Sequence, residues 1–596
     1  MQSDAKSVTD ARHPIWREWL GDRIERFAAG NSFPLFFSWC LCAVILFLAL
    51  IVFASSFIVD FPINSRLSLG NYHLVLDKYL FAEVLPNTLI VGLGTVAISL
   101  FFSVPLAWLL NRTNVPLGST FMTLMAVVII VPGFLKGIGW LLLLSPNIGL
   151  INKFFMGLFN LKEAPFNIST LGGISFIQGL MLAPVIVFLL AHPLRALDKS
   201  LEEASEVAGI SRWKTILWID APLIWPAILG GAIYVFMIAI SVFEIPALLG
   251  GLGGKNPVLA TELFLNIYTY SESVPKYGVS GVYGVLVTVP TMALFYLYYR
   301  SIRQSYRYVT VTGKGYKPRI YDLGLFKYVG MLFVLFYLSL AAFFPFLVLL
   351  WVSVIPYLQM PSAEAWSVVS FHWYRLLMER SDIQQVIWNT LILILSVSAV
   401  VVFFSFMISW IVTRTKLRIR GLLDGIAMLP QALPHLGFGL ALLVLGLMAR
   451  KWLPWFSFHG TIGIIAVAYV VTRISYATRI TNAALLQVSQ ELEEAAFICG
   501  AKKFIIWWKV IVPIIGQAVV FAGLWTALLS FREVTVALIL TSLHNRVLAV
   551  QVWTMWLTGD VGQAAALGVL MILAMSVIFL LTLRLTSRRL GTHGIF

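Results

Sequence analysis

The sequence predicts an all-α polytopic membrane protein: twelve transmembrane helices in two tandem six-helix halves with the same orientation in the bilayer. Three observations carry the prediction. The chain is 60% hydrophobic and only 12% charged over 596 residues, whereas soluble domains carry roughly 25% charged residues. Apolar runs of about 20 residues, long enough to cross about 30 Å of hydrocarbon as a helix, recur along its length. Several short polar signatures occur twice, in the same order.

In the first half the apolar runs cover 36–58, 84–110, 121–145, 172–192, 223–248 and 279–299. In the second they cover 329–354, 386–412, 422–448, 461–480, 512–538 and 563–585. The formal charge of +15 is concentrated between them. Arg300, Arg303, Arg307, Lys314, Lys317, Arg319 and Lys327 follow the sixth run against a single acid, Asp322; Arg414, Lys416, Arg418 and Arg420 fill one short loop; Arg584, Arg588 and Arg589 follow the last run. With twelve spans these clusters share one side, which the positive-inside rule makes the cytoplasm, with both termini. Topology and anionic headgroups therefore account for the basic charge, and no nucleic-acid partner is implied.

Residues 1–33 are expected to be a cytoplasmic segment rather than a cleavable signal, since no short apolar core with a small-residue cleavage pattern occurs there. Ile15, Trp16, Trp19, Leu20, Ile24 and Phe27 recur at helical spacing among Arg17, Arg23 and Arg26, as in a helix lying on the inner membrane face. The remaining divisions are a first half at 34–300, a basic cytoplasmic linker at 301–327 and a second half at 328–596. Cys40, Cys42 and Cys499 form neither a disulfide framework nor a metal site.

The two halves repeat one another. Tyr72-x-Leu74 recurs as Tyr374-x-Leu376, Asn87-Thr88 as Asn389-Thr390, Arg112-Thr113 as Arg414-Thr415, and Pro132 as Pro434, all at one offset. The offset then shrinks, which a longer external loop at 145–170 in the first half absorbs. Even-numbered halves have the same orientation, so a pseudo-twofold along the membrane normal should relate them, with a pathway at their interface.

The most informative repeat is Leu201–Pro222, which returns as Leu492–Pro513. Each copy offers a short helix with acids near its start (Glu202, Glu203 and Glu206; Glu493 and Glu494), where the helix dipole favours them. Gly209 and Gly500 follow, permitting a tight turn or a close backbone approach. Pro222 and Pro513 mark entry into the next span. A polar helix displayed twice at matched spacing suits docking into a groove on a partner.

These loops resemble the Glu-Ala-Ala loop of permeases in type I ATP-binding-cassette (ABC) importers of bacteria. The motif reads Glu203-Ala204-Ser205, Gly209 and Ile219-Asp220-Ala221-Pro222, then Glu494-Ala495-Ala496, Gly500 and Val510-Ile511-Val512-Pro513. The departures from the family pattern are Ser205, Ala221, Val510 and Val512. The fused arrangement of two halves resembles the ferric-iron and thiamine permease group. The resemblance implies that Glu203, Ala204, Gly209, Glu494, Ala495 and Gly500 couple the chain to two copies of a cytoplasmic ABC ATPase, which would hold ATP and magnesium. It implies a periplasmic substrate-binding protein on the other side of the inner membrane. Gly250–Asn256 is superficially like a phosphate loop, but Leu249 and Asn256 break the pattern. No cofactor is expected on this chain, and no enzymatic activity of its own.

Charged residues at span edges are costly and carry functional hypotheses. Glu244 near the end of the fifth span and Arg532-Glu533 near the end of the eleventh are candidates for the substrate path. Either two carboxylates face the path near an outer gate, or Arg532 pairs with one acid and both lock helices together. Hard oxygen ligands are compatible with a trivalent cation, and the resemblance to the ferric-iron permease group makes ferric iron the expected cargo. Thiamine, polyamines, phosphonates and phosphorylated small molecules stay open, and no metal ligand is assigned; His435 reads as hydrogen-bonded structure. The competing class, an ion-coupled secondary transporter, has no need of paired cytoplasmic loops.

Overall fold

The computed structural model describes residues 31–59, 66–250, 254–268, 275–305, 319–452 and 458–587. The interfacial helix expected at Ile15–Phe27 lies outside them, as do linker residues Arg307, Lys314 and Lys317, and Gly251, Gly253, Arg588 and Arg589. In the first half the helices are α1 (Ser32–Ser56), α2 (Leu80–Arg112), α3 (Gly118–Ile130), α4 (Gly133–Leu144), α5 (Leu150–Phe159), α6 (Leu171–Arg195), α7 (Lys199–Val207), α8 (Ile216–Ser241), α9 (Glu244–Leu249), α10 (Leu259–Ile267) and α11 (Tyr277–Ser305). The second half repeats the order, among the described residues without a counterpart of α5: α12 (Phe326–Val354), α13 (Ser381–Arg414), α14 (Arg420–Ala432), α15 (His435–Trp452), α16 (Ile462–Leu486), α17 (Gln490–Ile498), α18 (Lys503–Phe531), α19 (Thr535–Leu540), α20 (Leu548–Leu557) and α21 (Val561–Ser587). Among the described residues ten helices are long and apolar enough to span alone, and up to 12 spans result if each of two bent pairs counts as one.

Those pairs correct the sequence reading of the third and ninth runs as plain spans. α3 and α4 meet at 91°, α14 and α15 at 99°. The repeated prolines explain the breaks. Pro132 and Pro434 sit between the members of each pair, and a residue preceding proline is driven out of helical geometry. The fifth and eleventh runs are also corrected. Their long helices stop at Ser241 and Phe531, and short helices restart at Glu244 and Thr535. In the first case Pro246 has no N–H to offer the Val242 carbonyl. No proline marks the second.

Two compact units divide the chain. One comprises residues up to Leu46, Ala399–Leu429 and Ile474–Gly523. Within it the Cys42 thiol approaches the Leu423 carbonyl at 3.9 Å, so α1 packs on α14 of the other half. The second unit comprises Phe47–Ser398, Pro430–Arg473 and Leu524–Phe596. Here α12 packs on the first half: fully buried Tyr337 donates its hydroxyl to the Leu180 carbonyl at 2.7 Å. The leading helix of each half therefore lies against the other half. α2 and α6 approach closely through small residues, a Cβ on Gly179 meeting Ile98 at 2.6 Å, while Thr95 donates to Gln178 Oε1 at 3.0 Å.

The repeated signatures turn out to be repeated contacts. Ser56 and Tyr72 share a 2.8 Å hydrogen bond, Ser353 and Tyr374 one of 2.7 Å. Asn87 donates to the Pro257 carbonyl at 3.1 Å, Asn389 to those of His544 and Arg546 at 2.9 and 3.0 Å. The Thr88 hydroxyl accepts the backbone N–H of Leu259 at 3.0 Å, and the Thr390 hydroxyl that of Leu548 at 2.9 Å. Those two N–H groups open α10 and α20 and have no partner within their helices.

Candidate functional site: the repeated loops and a buried ion cluster

Both repeated loops are built the same way. The Asp198 carboxylate caps the start of α7 by accepting Ser200 N–H at 2.9 Å, and the Ser489 hydroxyl caps α17 by accepting Glu491 N–H at 3.3 Å. At the far ends the chain turns left-handed, with φ of +76° at Gly209 and +81° at Gly500. Ile210 then donates to the Ser205 carbonyl at 3.0 Å, and Ala501 to that of Ala496 at 3.1 Å, the wrap that satisfies the last carbonyls of a helix. A Cβ at either glycine would meet nothing within 4 Å. The tight turn rather than a close approach therefore requires glycine, since other residues resist positive φ.

The acids of each loop divide into two roles that the sequence reading merged. Glu202, 1% exposed, turns inward onto Arg112, 0% exposed, at the end of α2. Arg112 also donates to the Leu194 carbonyl at 3.2 Å. In the second loop Arg414 at the end of α13 lies 2.8 Å from Glu493 and donates to the Leu485 and Val488 carbonyls at 2.9 and 2.8 Å. Burial pushes the Glu493 carboxyl above its usual range, and Arg414 pulls it back. Sequence reasoning treated these arginines as repeat markers and missed them as anchors; their matched offset was the signal. By contrast Glu203, Ala204, Glu494 and Ala495 all face outward. Beside them, at the tips, Val207 is 90% and Ile498 83% exposed. Each loop thus presents an apolar tip with an outward acid, on a base locked to the end of α2 in the first half and of α13 in the second.

The second candidate site gathers Glu244, Arg532 and Glu533 with side chains that the sequence reading left out or treated as structure. At the break between α3 and α4 the backbone loses helical partners, and in a membrane each such group needs another. Lys136 Nζ donates to the Val128 carbonyl at 2.5 Å, and Arg532 donates to the carbonyl of Ile129. The Glu244 carboxylate takes the Phe134 N–H at the start of α4, where a helix favours an anion. Gly133 makes room for it: a Cβ there would collide with Glu244 and Met181. Around the other acid the partners differ. Glu533 is ion-paired with Arg473 and lies 3.4 Å from His435 Nδ1, at the start of α15. The Tyr469 hydroxyl donates to the Glu533 carbonyl at 2.8 Å. Glu244 lies within electrostatic reach of Lys136, Arg532 and Glu533, so the two acids belong to one cluster. Their positions are not strictly equivalent: Glu244 opens α9, while Glu533 precedes the start of α19. No group of three or more His, Cys, Asp and Glu side chains among the described residues could hold a metal ion.

Residues 97–308 and 402–591 each match the family model described as the binding-protein-dependent transport system inner membrane component. The ferric transport system permease protein FbpB of Actinobacillus pleuropneumoniae is 24% identical over 85% of this chain and 71% of its own length. A putative ferric transport system permease protein FbpB 1 of Haemophilus influenzae is 23% identical over 87% and 79%. The molybdate/tungstate transport system permease protein WtpB of Thermococcus kodakarensis is 32% identical over 29% of this chain and 61% of its own.

Proposed function

Because the chain belongs to the family of inner-membrane components of binding-protein-dependent transport systems, we propose that it is the transmembrane permease subunit of an ATP-driven importer whose cargo is ferric iron. Two copies of a cytoplasmic ABC ATPase dock on Glu203–Gly209 and Glu494–Gly500, and a periplasmic binding protein delivers cargo to the opposite face. Closure of the ATPase dimer moves the loops, and the buried Arg112–Glu202 and Arg414–Glu493 pairs carry that motion into the spans. The single observation behind this reading is the identity of the two loops. Each has an outward acid, an exposed apolar tip and a left-handed glycine, and each is tied by its inner acid to a span end.

Co-purification tests the docking. ATPase subunits co-expressed with the chain should be retained by the wild type and lost in the double variant Gly209→Asp, Gly500→Asp, together with uptake. Uptake unchanged in that variant refutes the mechanism.

The iron reading is supported by the two ferric relatives, which align over most of the chain. On this reading Glu244, Arg532 and Glu533 line the path. An anionic cargo is a second reading, favoured by the surplus of cations in the cluster, where Lys136, Arg473 and Arg532 face Glu244 and Glu533. Proteoliposomes given radiolabelled ferric iron or molybdate on the binding protein separate the two. The double variant Glu244→Ala, Glu533→Ala should lose cargo-stimulated ATP hydrolysis, and full stimulation would assign both acids to helix locking.

A further inference from the structure

The first loop has a second tether, with no counterpart at the second loop among the described residues. The linker between the halves is described again from Arg319, and its end runs alongside the end of α2. Tyr321 donates its N–H to the Arg112 carbonyl at 2.7 Å and accepts Asn114 N–H at 3.2 Å. The Asn114 side chain donates to Asp322 at 2.6 Å and accepts Leu323 N–H at 3.1 Å. This backbone register delivers two side chains to α7. The Tyr321 hydroxyl donates to Glu202 Oε2 at 2.7 Å, so both oxygens of that carboxylate are engaged, the other by Arg112. Arg319 donates to Glu206 Oε1 at 2.7 Å and lies 3.8 Å from Glu202. The Tyr321 ring lies against both guanidiniums, 5.7 Å from that of Arg112 and 5.1 Å from that of Arg319.

The charges explain why an arginine is needed. Asp220, 3% exposed, finds no hydrogen-bond partner among the described residues and lies within reach of Arg112 and Arg319. Without Arg319, Arg112 alone would face both Glu202 and Asp220. In the second loop Phe497 stands in the place of Glu206 and is 60% exposed, and Ile511 stands in the place of Asp220. At those two positions that loop offers a second arginine no acid to hold.

We propose that Arg319 and Tyr321 are positioning residues for ATP coupling: they strap α7 to the end of α2, so that the first docking point moves with its span while the second is held by Arg414 at its base. This rests on the docking reading above. It adds that two like loops transmit motion through unlike mechanical backing, and that the linker is part of the transmission.

The test uses the full chain in lipid nanodiscs, with amide hydrogen exchange read separately over 199–209 and 490–500. In Arg319→Gln with Tyr321→Phe, exchange over 199–209 should quicken on the order of tenfold, as expected when a charge-assisted hydrogen bond is lost, with 490–500 unchanged. Tyr321→Phe alone, which keeps the ring, should show a smaller rise, and Arg319→Lys should recover most of the protection. No change over 199–209, or equal quickening in both loops, overturns the strap. With ATPase bound, the double variant should retain the subunits yet move less cargo per ATP, and an unchanged ratio overturns the positioning role. If the wild-type chain retains no ATPase, the docking reading fails while the exchange result still reports on the strap.

Discussion

Arg414 Nε lies 2.8 Å from Glu493 Oε1, joining the end of one membrane span to the base of the second repeated loop. Arg112 and Glu202 form the same junction in the first half, more deeply buried and with Tyr321 added. The pair is therefore part of the repeated unit, and the difference between its copies lies in what surrounds it.

Breaking the first pair should cost more than breaking the second. Glu202→Gln breaks a pair in which neither side chain reaches solvent, a loss of about 3–5 kcal/mol. Glu493→Gln strands an arginine whose partner is 18% exposed, and solvent should reduce the loss to about half of that. Thermal unfolding of the two variants in one detergent should rank them in that order.

Gly209→Ala and Gly500→Ala should each destabilise their loop by about 1–2 kcal/mol, because alanine resists the left-handed backbone even where its Cβ meets open space. Asparagine, which tolerates that conformation better, should cost less at both positions. Local hydrogen exchange over the loops reads this directly.

Thr88→Val and Thr390→Val should lower stability by similar amounts, about 1 kcal/mol each, since each removes the acceptor for the first N–H of an equivalent helix. Unequal losses in matched unfolding experiments would show that the two halves do not use the device alike.

The loop carrying His459 should loosen in acid. Burial, with Arg450 nearby, holds this imidazole below its usual value of 6.5. A depressed folded value means that the stabilisation is complete above 6.5 and is lost as pH falls through the lowered value. Exchange over 458–461, corrected for intrinsic rate, should rise on acidification in the wild type and stay level in His459→Phe.

Much of this molecule is legible from residues alone. The spans follow from apolar length, and the loop glycines from their place after a short polar helix, where a left-handed turn ends the helix. Other features are hidden for identifiable reasons. The stop after Phe531 has no proline or glycine beside it. Lys136 stands in an otherwise apolar run and reveals its role only when the break at Pro132 turns the Val128 carbonyl toward it. Arg473 likewise gains meaning only from Glu533 on another span.

The sequence by itself determined a duplicated membrane protein with one like polar loop on each half, because span length, charge placement and glycine chemistry are local properties. Tertiary structure alone decided which acids face inward, which cations seal the broken helices, and that α1 and α12 each pack on the opposite half. Helices surrounded by lipid and by one another are apolar on every side, so no periodicity records their neighbours. The pairs that hold them join residues far apart in the chain, and no local preference encodes such partners.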